Sequence, residues 1–179
     1  MPTNLLKKYP ELLELIHLSE SLRTKSLLGV FNRDIQNNPS FKFRLKQLRP
    51  ILVDGEASMG TLFNHLTREE VEEQSISGKK FKRRIFEKDR SMRLHWIKFH
   101  IEERKEDKIE IFSIVERDLK SRKNVTITYI YDLEQKYVIV LEPQRSGLDY
   151  YLRTAYYLNR EYGQKQMDNK LQKKLPVVY

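Results

Sequence analysis

The sequence predicts an α+β fold: a helical N-terminal region over residues 1–78, then a unit over 79–179. That unit is a basic hinge (79–93), a helix, a four-stranded mainly antiparallel sheet and a C-terminal helix. Three observations lead there. Leu12, Leu13, Leu15, Ile16, Leu18 and Leu22 recur at near-helical spacing in the first half. Four β-branched and aromatic runs, 108–116, 124–131, 136–142 and 149–158, follow one another through connections too short for crossover helices. Between the two halves, Ser75-Ile-Ser-Gly78 is the best candidate boundary.

Taken in order, Pro10 suits the first turn of a helix that runs to about Leu28 and stops at Gly29. Phe41 to Lys46 alternates apolar and basic, the period of a half-exposed strand with Lys42, Arg44 and Lys46 on one face. Thr61–Leu66 reads as a short helix, and Thr67-Arg-Glu-Glu70 has the form of a capping box that opens another. Ser91 suits the N-cap of a helix from Met92 to about Arg104. Its apolar residues fall on two sides, Leu94, Ile97 and Ile101 against Trp96 and Phe99, so the helix is expected to be buried on both. The segment beyond Leu158 reads as a basic, exposed helix interrupted at Gly163.

With 34 Lys and Arg against 25 Asp and Glu, the chain carries a net charge of +9. Such a balance favours a polyanionic partner, nucleic acid first and an anionic membrane surface second. Lys79 to Arg93 holds eight basic and two acidic residues, with Phe81 and Phe86 as apolar anchors. Lys79, Lys80, Lys82, Arg83 and Arg84 are therefore candidate phosphate contacts, a solvated surface being the alternative. The absence of cysteine excludes disulfides, thiolate metal sites and a cysteine nucleophile. No apolar run approaches the roughly 20 residues of a membrane span, so no membrane partner is expected and a cytoplasmic setting is.

The chemistry-bearing residues concentrate in the helix and in the last strand. His95 and His100 lie five positions apart, the wrong spacing for a shared zinc but compatible with one of them serving as general acid or base; packing at the core edge is the alternative. In Asp149–Leu158 an Arg-Thr pair interrupts an aromatic strand. Strict alternation sends Arg153 and Thr154 to opposite faces unless a bulge intervenes.

The order helix then four strands, with His95-Trp-x-x-x-His100, Tyr137-Val-Ile-Val-Leu-Glu-Pro143 and Tyr150-Tyr-Leu-x-Thr-Ala-Tyr-Tyr-Leu158, resembles a known group over roughly residues 90–172. It is the phage-associated branch of the nuclease superfamily that includes barnase, EndoU, the tRNA-cleaving colicins and RelE. The resemblance implies a metal-independent endoribonuclease acting through the 2′-hydroxyl on tRNA or mRNA, without cofactor, in a toxin-like role or in conflict between phage and bacterium. Carried over by position, His95, His100 and Thr154 are catalytic; Arg153, at a position where the motif expects an apolar residue, and Tyr157 are further catalytic candidates for the chemistry such a site needs, as cation and phosphate contact. Lys98, Arg117, Arg145 and Tyr151 are candidates for substrate binding. RNA is the implied partner, together with an acidic antitoxin or immunity protein. The alternatives are a nucleic-acid-binding module without catalysis and an interaction protein with an acidic partner.

Overall fold

A computed structural model of the chain describes residues 3–53, 56–75, 78–118, 122–144 and 147–179. A short 3₁₀ turn (Thr3–Leu5) precedes α1 (Glu20–Phe31) and a π-turn over Asn32–Gln36. Then come β1 (Lys42–Phe43), β2 (Lys46–Pro50), β3 (Leu52–Val53), β4 (Glu56–Ala57), α2 (Met59–Thr67), β5 (Arg68–Gln74) and β6 (Lys80–Phe86). The second half runs α3 (Lys88–Ser91), α4 (Trp96–Ile101), β7 (Ile109–Arg117), β8 (Asn124–Asp132), β9 (Tyr137–Pro143), β10 (Asp149–Tyr157) and α5 (Glu161–Gln172).

The fold is α+β, but its sheet is not the expected four-stranded one. It has six strands in the order β1-β2-β10-β9-β8-β7 and is mixed, because β2 runs parallel to β10 from Gln47↔Asp149 to Pro50↔Leu152. The meander β7 to β10 is antiparallel as expected. The additional strands come from the first half, where Arg44 and Leu45 both take positive φ (47° and 70°). A two-residue turn of that kind folds β1 back on β2. Lys42, Arg44 and Lys46 consequently do not share a face; Phe43, fully buried, pairs with Lys46.

Other elements of the first half depart from the sequence reading for identifiable reasons. Residues 11–15 form no helix, with Leu13 and Leu15 buried and Leu12 and Glu14 outward, since the same leucine run satisfies a period of two as well as a helical one. The helix begins only at Glu20, where the Ser19 side chain accepts the Leu22 N–H, and it passes through Gly29. Thr67 ends α2 instead of capping a new helix. Its hydroxyl donates to the Phe63 carbonyl at 2.7 Å, and its own carbonyl accepts from Ser91 Oγ at 2.9 Å. Ser91 is thus an internal tie that ends α3 and not an N-cap, and the expected helix over 92–104 is shortened to α4. Gly163 lies in the first turn of α5 without interrupting it. A Cβ there would stand 3.3 Å from Leu158, so the glycine permits close approach of helix and strand.

The proposed boundary at residues 75–78 falls between the paired strands of the β5–β6 hairpin, which pair from Arg68↔Phe86 to Gln74↔Lys80. The main core draws on both sides of it, from Leu13, Val30, Phe31 and Leu66 to Trp96, Ile139 and Leu152. That core covers one face of the sheet. Phe112, Tyr129, Val138 and Val140 form a smaller cluster on the other face, closed by Met167 of α5. The free edge of β7 is covered in part by the C-terminal segment, where Leu175 N–H donates to the Ser113 carbonyl at 2.8 Å.

One buried polar knot ties the N-terminal segment, α4 and the β8–β9 turn together. Asp132, fully buried, accepts from Tyr9 Oη (2.7 Å), His100 Nε2 (3.0 Å) and the backbone N–H groups of Glu134 and Gln135. Burial alone would raise its carboxyl, yet the bonds from His100, Gln135 and Tyr9 outweigh it and hold Asp132 well below the usual range. A carboxyl depressed in the folded state adds stability above its ordinary value of 3.8, and that stability is lost as pH falls below it. Asp132→Asn should lower the unfolding free energy by about 3–5 kcal/mol in urea titrations at pH 7. The variant should also lose less stability than the wild type on acidification below pH 3.8.

Candidate functional site

The last strand carries an irregularity that decides where its polar side chains go. Leu152 pairs with Leu141 and Thr154 with Val140, so Arg153 is an extra residue, a β-bulge. Before it, Tyr150 and Leu152 face the main core; after it, Ala155 and Tyr157 do. A single inserted residue flips the parity of everything beyond it, and this one keeps the core side apolar at both ends of the strand. It also puts Arg153 and Thr154 on one face, correcting the expectation that they point apart. Thr154 shares the face of its partner Val140, and Arg153 reaches Glu142, two residues further along β9 on that same side.

Around this pair the sheet gathers a partly exposed polar cluster. Arg153 lies 3.3 Å from Asp118 and 3.4 Å from Glu142. Thr154, Val140, Tyr129 and Phe112 form one cross-strand row. Lys170 of α5 donates to Tyr129 Oη at 2.7 Å and pairs with Glu116 at 2.6 Å. Burial pushes the Tyr129 phenol far up, with the charge of Glu116 and the neighbouring Tyr156 adding to the effect and Arg153 opposing it. Tyr129, in the same row as Thr154 and bonded to Lys170, links the two ion-pair groups on this face. Burial likewise pushes Tyr156, two residues past Thr154 on the same face, up to about 12, so both phenols remain hydrogen-bond donors at neutral pH. Tyr151, opposite Glu142, is half-buried at the margin.

The histidines are elsewhere. His100 is buried, with Nδ1 2.8 Å from the Trp96 carbonyl and Nε2 on Asp132, so both nitrogens are engaged and no lone pair is free to act as a base. His95 is buried beside the N-terminal segment, and Lys98 stands 3.9 Å from both Asp34 and Glu102. Tyr157 faces the main core beneath the Arg93 guanidinium, 3.9 Å from its ring centre. The sheet therefore separates His95, His100, Lys98 and Tyr157 from Arg153 and Thr154.

Within the basic hinge (79–93), Lys80–Phe86 is the second strand of the hairpin and Lys88–Ser91 is α3, and acidic residues of the first strand meet the strand part. Lys80 pairs with Glu72 (2.9 Å), Lys82 with Glu70 (2.6 Å) and Arg83 with Glu73 (3.9 Å), while Arg84 donates to His65 at 2.8 Å. Lys79, exposed, donates its backbone N–H to Ser75. Arg117 is exposed at the end of β7, opposite Asn124. Arg145 lies outside the described residues. Among the described residues no three histidine or carboxylate side chains group as metal ligands, and no helix is long and apolar enough to cross a membrane.

Sequence reasoning missed Glu142, Glu116, Asp118, Tyr129 and Lys170. Glu142 alone left a legible signal, a carboxylate ending the apolar run Tyr137–Leu141 just before Pro143. Comparison with family profiles, with curated proteins and with solved structures finds no match to this chain.

His95 provides a direct test of this partition. Burial pushes its ring down to about 4 from 6.5. The unfolded chain therefore takes up a proton below pH 6.5 that the folded chain refuses until about pH 4. Stability should fall across that window by about 3 kcal/mol, and His95→Leu should flatten the fall in denaturant titrations at stepped pH.

Proposed function

We propose that the protein is an endoribonuclease that cuts RNA on the bulged face of β10, by transfer to the ribose 2′-hydroxyl and without a metal in the chemical step. The observation that carries this reading is the bulge at Arg153, which gathers a guanidinium, a hydroxyl and a carboxylate on one partly exposed face. The net charge of +9 supports a polyanionic substrate.

In this mechanism the Glu142 carboxylate takes the 2′-hydroxyl proton as the 2′-oxygen bonds to phosphorus. Arg153 turns from its two carboxylates to the phosphoryl oxygens, where negative charge grows. Neither of its contacts, at 3.3 and 3.4 Å, is a short bidentate pair that would resist the exchange. Thr154 holds the phosphate, and the bond to the 5′-oxygen breaks as the Lys170 ammonium gives that oxygen its proton. The products are a 2′,3′-cyclic phosphate and a 5′-hydroxyl. Tyr151 stacks on an unpaired base at the margin. His95 and His100 take no part in this scheme, and an acidic antitoxin covering the same face in the cytoplasm would silence it.

A second reading has its own support: with Asp118 and Glu142 both on Arg153, the face can hold RNA without cutting it. Purified protein incubated with total cellular RNA decides between them. Cleavage is expected with and without EDTA, leaving cyclic-phosphate ends. Glu142→Gln should reduce the rate by roughly 10²-fold or more, with His95→Leu close to wild type. Salt-sensitive binding without scission would establish the second reading, and dependence on added divalent metal would overturn the mechanism.

A further inference from the structure

A cavity of about 480 Å³ opens between the N-terminal segment, the π-turn and α4, and no residue of β10 lines it. Its size lies within the roughly 300–1,000 Å³ typical of small-molecule sites. His95 forms part of the wall and is only 5% exposed; the Lys8 and Glu11 carbonyls stand near its ring, and neither nitrogen makes a well-formed hydrogen bond to the protein. Buried polar groups are almost always satisfied, so an imidazole left this way marks a place that something else completes. Burial keeps the ring neutral at physiological pH, with one N–H to donate and one lone pair to accept.

The charges around it are unbalanced. Asp34, 3% exposed, is already held by Arg33, whose Nε lies 2.7 Å from Oδ1. Arg104 engages Glu102 at 2.6 Å. That leaves Lys98 at 3.9 Å from each of these carboxylates, beyond hydrogen-bond reach, and the exposed Lys8 ammonium in no ion pair among the described residues. Tyr9 and Phe99 stack with centroids 4.1 Å apart and planes 8° from parallel, an aromatic wall beside Lys8 and Lys98. An excess of cations over carboxylates in the lining, a buried imidazole short of well-formed hydrogen bonds and an adjacent aromatic surface describe a ligand with an anionic head and a flat body.

We infer that this cavity binds a free mononucleotide, its phosphate held by Lys8 and Lys98, its base against Tyr9 and Phe99, and His95 completing the polar contacts. The site is separate from the bulged face and stands whether or not that face cuts RNA.

Titration calorimetry on the full chain with AMP, inorganic phosphate and adenosine tests it, alongside NMR of the histidine rings. AMP should bind one to one, more tightly than phosphate and much more tightly than adenosine, and should move the His95 ring signals while leaving those of His100 in place. Lys98→Gln and Lys8→Gln, both at solvent-reachable positions, should each weaken AMP by about tenfold, and Glu142→Gln should leave it unchanged. Three results would overturn the inference: adenosine binding as well as AMP, affinity indifferent to both lysine changes, or AMP binding lost in Glu142→Gln, which would put the nucleotide on the bulged face instead.

Discussion

The structure turns on one extra residue in β10. That strand pairs with β9 on one side and β2 on the other, and it must keep apolar side chains toward the main core along its whole length. A regular strand of this sequence could not do both. Tyr150 and Leu152 would face the core together with Thr154 and Tyr156, and Ala155 and Tyr157 would turn outward. Inserting Arg153 as a bulge resolves the conflict, because the parity changes where the apolar pattern changes. The same insertion sets a guanidinium and a hydroxyl side by side on the far face. Packing on one side of the sheet thus creates the chemical feature on the other.

The buried face is organised by a different interaction, the acceptor knot at Asp132. A carboxylate with no exposure has to be fully satisfied. Here the satisfaction comes from a tyrosine 123 residues earlier, a histidine from α4 and two turn amides. Lys105 completes the arrangement, 2.7 Å from Glu134 and 3.1 Å from Tyr9 Oη. This is why the N-terminal segment belongs to the same core as the sheet, and why His100 is occupied where it stands. A histidine on an apolar helix reads as a candidate base from sequence alone; its partners give it a structural task.

Much of the second half was legible because its signals are local. The four runs of β7 to β10 have the composition and spacing of a meander, and their ends agree with the observed strands to within a residue or so. The two-sided burial of α4 followed from angular placement of Trp96, Ile97 and Ile101. What could not be read were pairings between distant segments. Nothing near Lys46–Pro50 announces a parallel neighbour a hundred residues later. The glutamates of β5 and the cations of β6 look like a capping box and a phosphate stripe until the hairpin sets them against each other. The bulge was named as a condition but not as an outcome, since only the register of β9 against β10 reveals it. Glu142, Asp118 and Glu116 became candidates for the same reason: their company on one face is a property of the folded sheet.

The hairpin pairing also redistributes the meaning of the chain's charge. Lys80, Lys82 and Arg83 each meet a glutamate, so the densest basic stretch is partly neutralised within its own hairpin. The claim at the centre of this account is that substrate is met on the bulged face of β10. Backbone NMR of the protein titrated with a 2′-deoxy oligonucleotide, which binds but cannot undergo the transfer, tests it most directly. The account predicts that shift changes centre on Tyr151 to Tyr156 and on Glu142. Changes confined to the β5–β6 hairpin, with β10 silent, would contradict it.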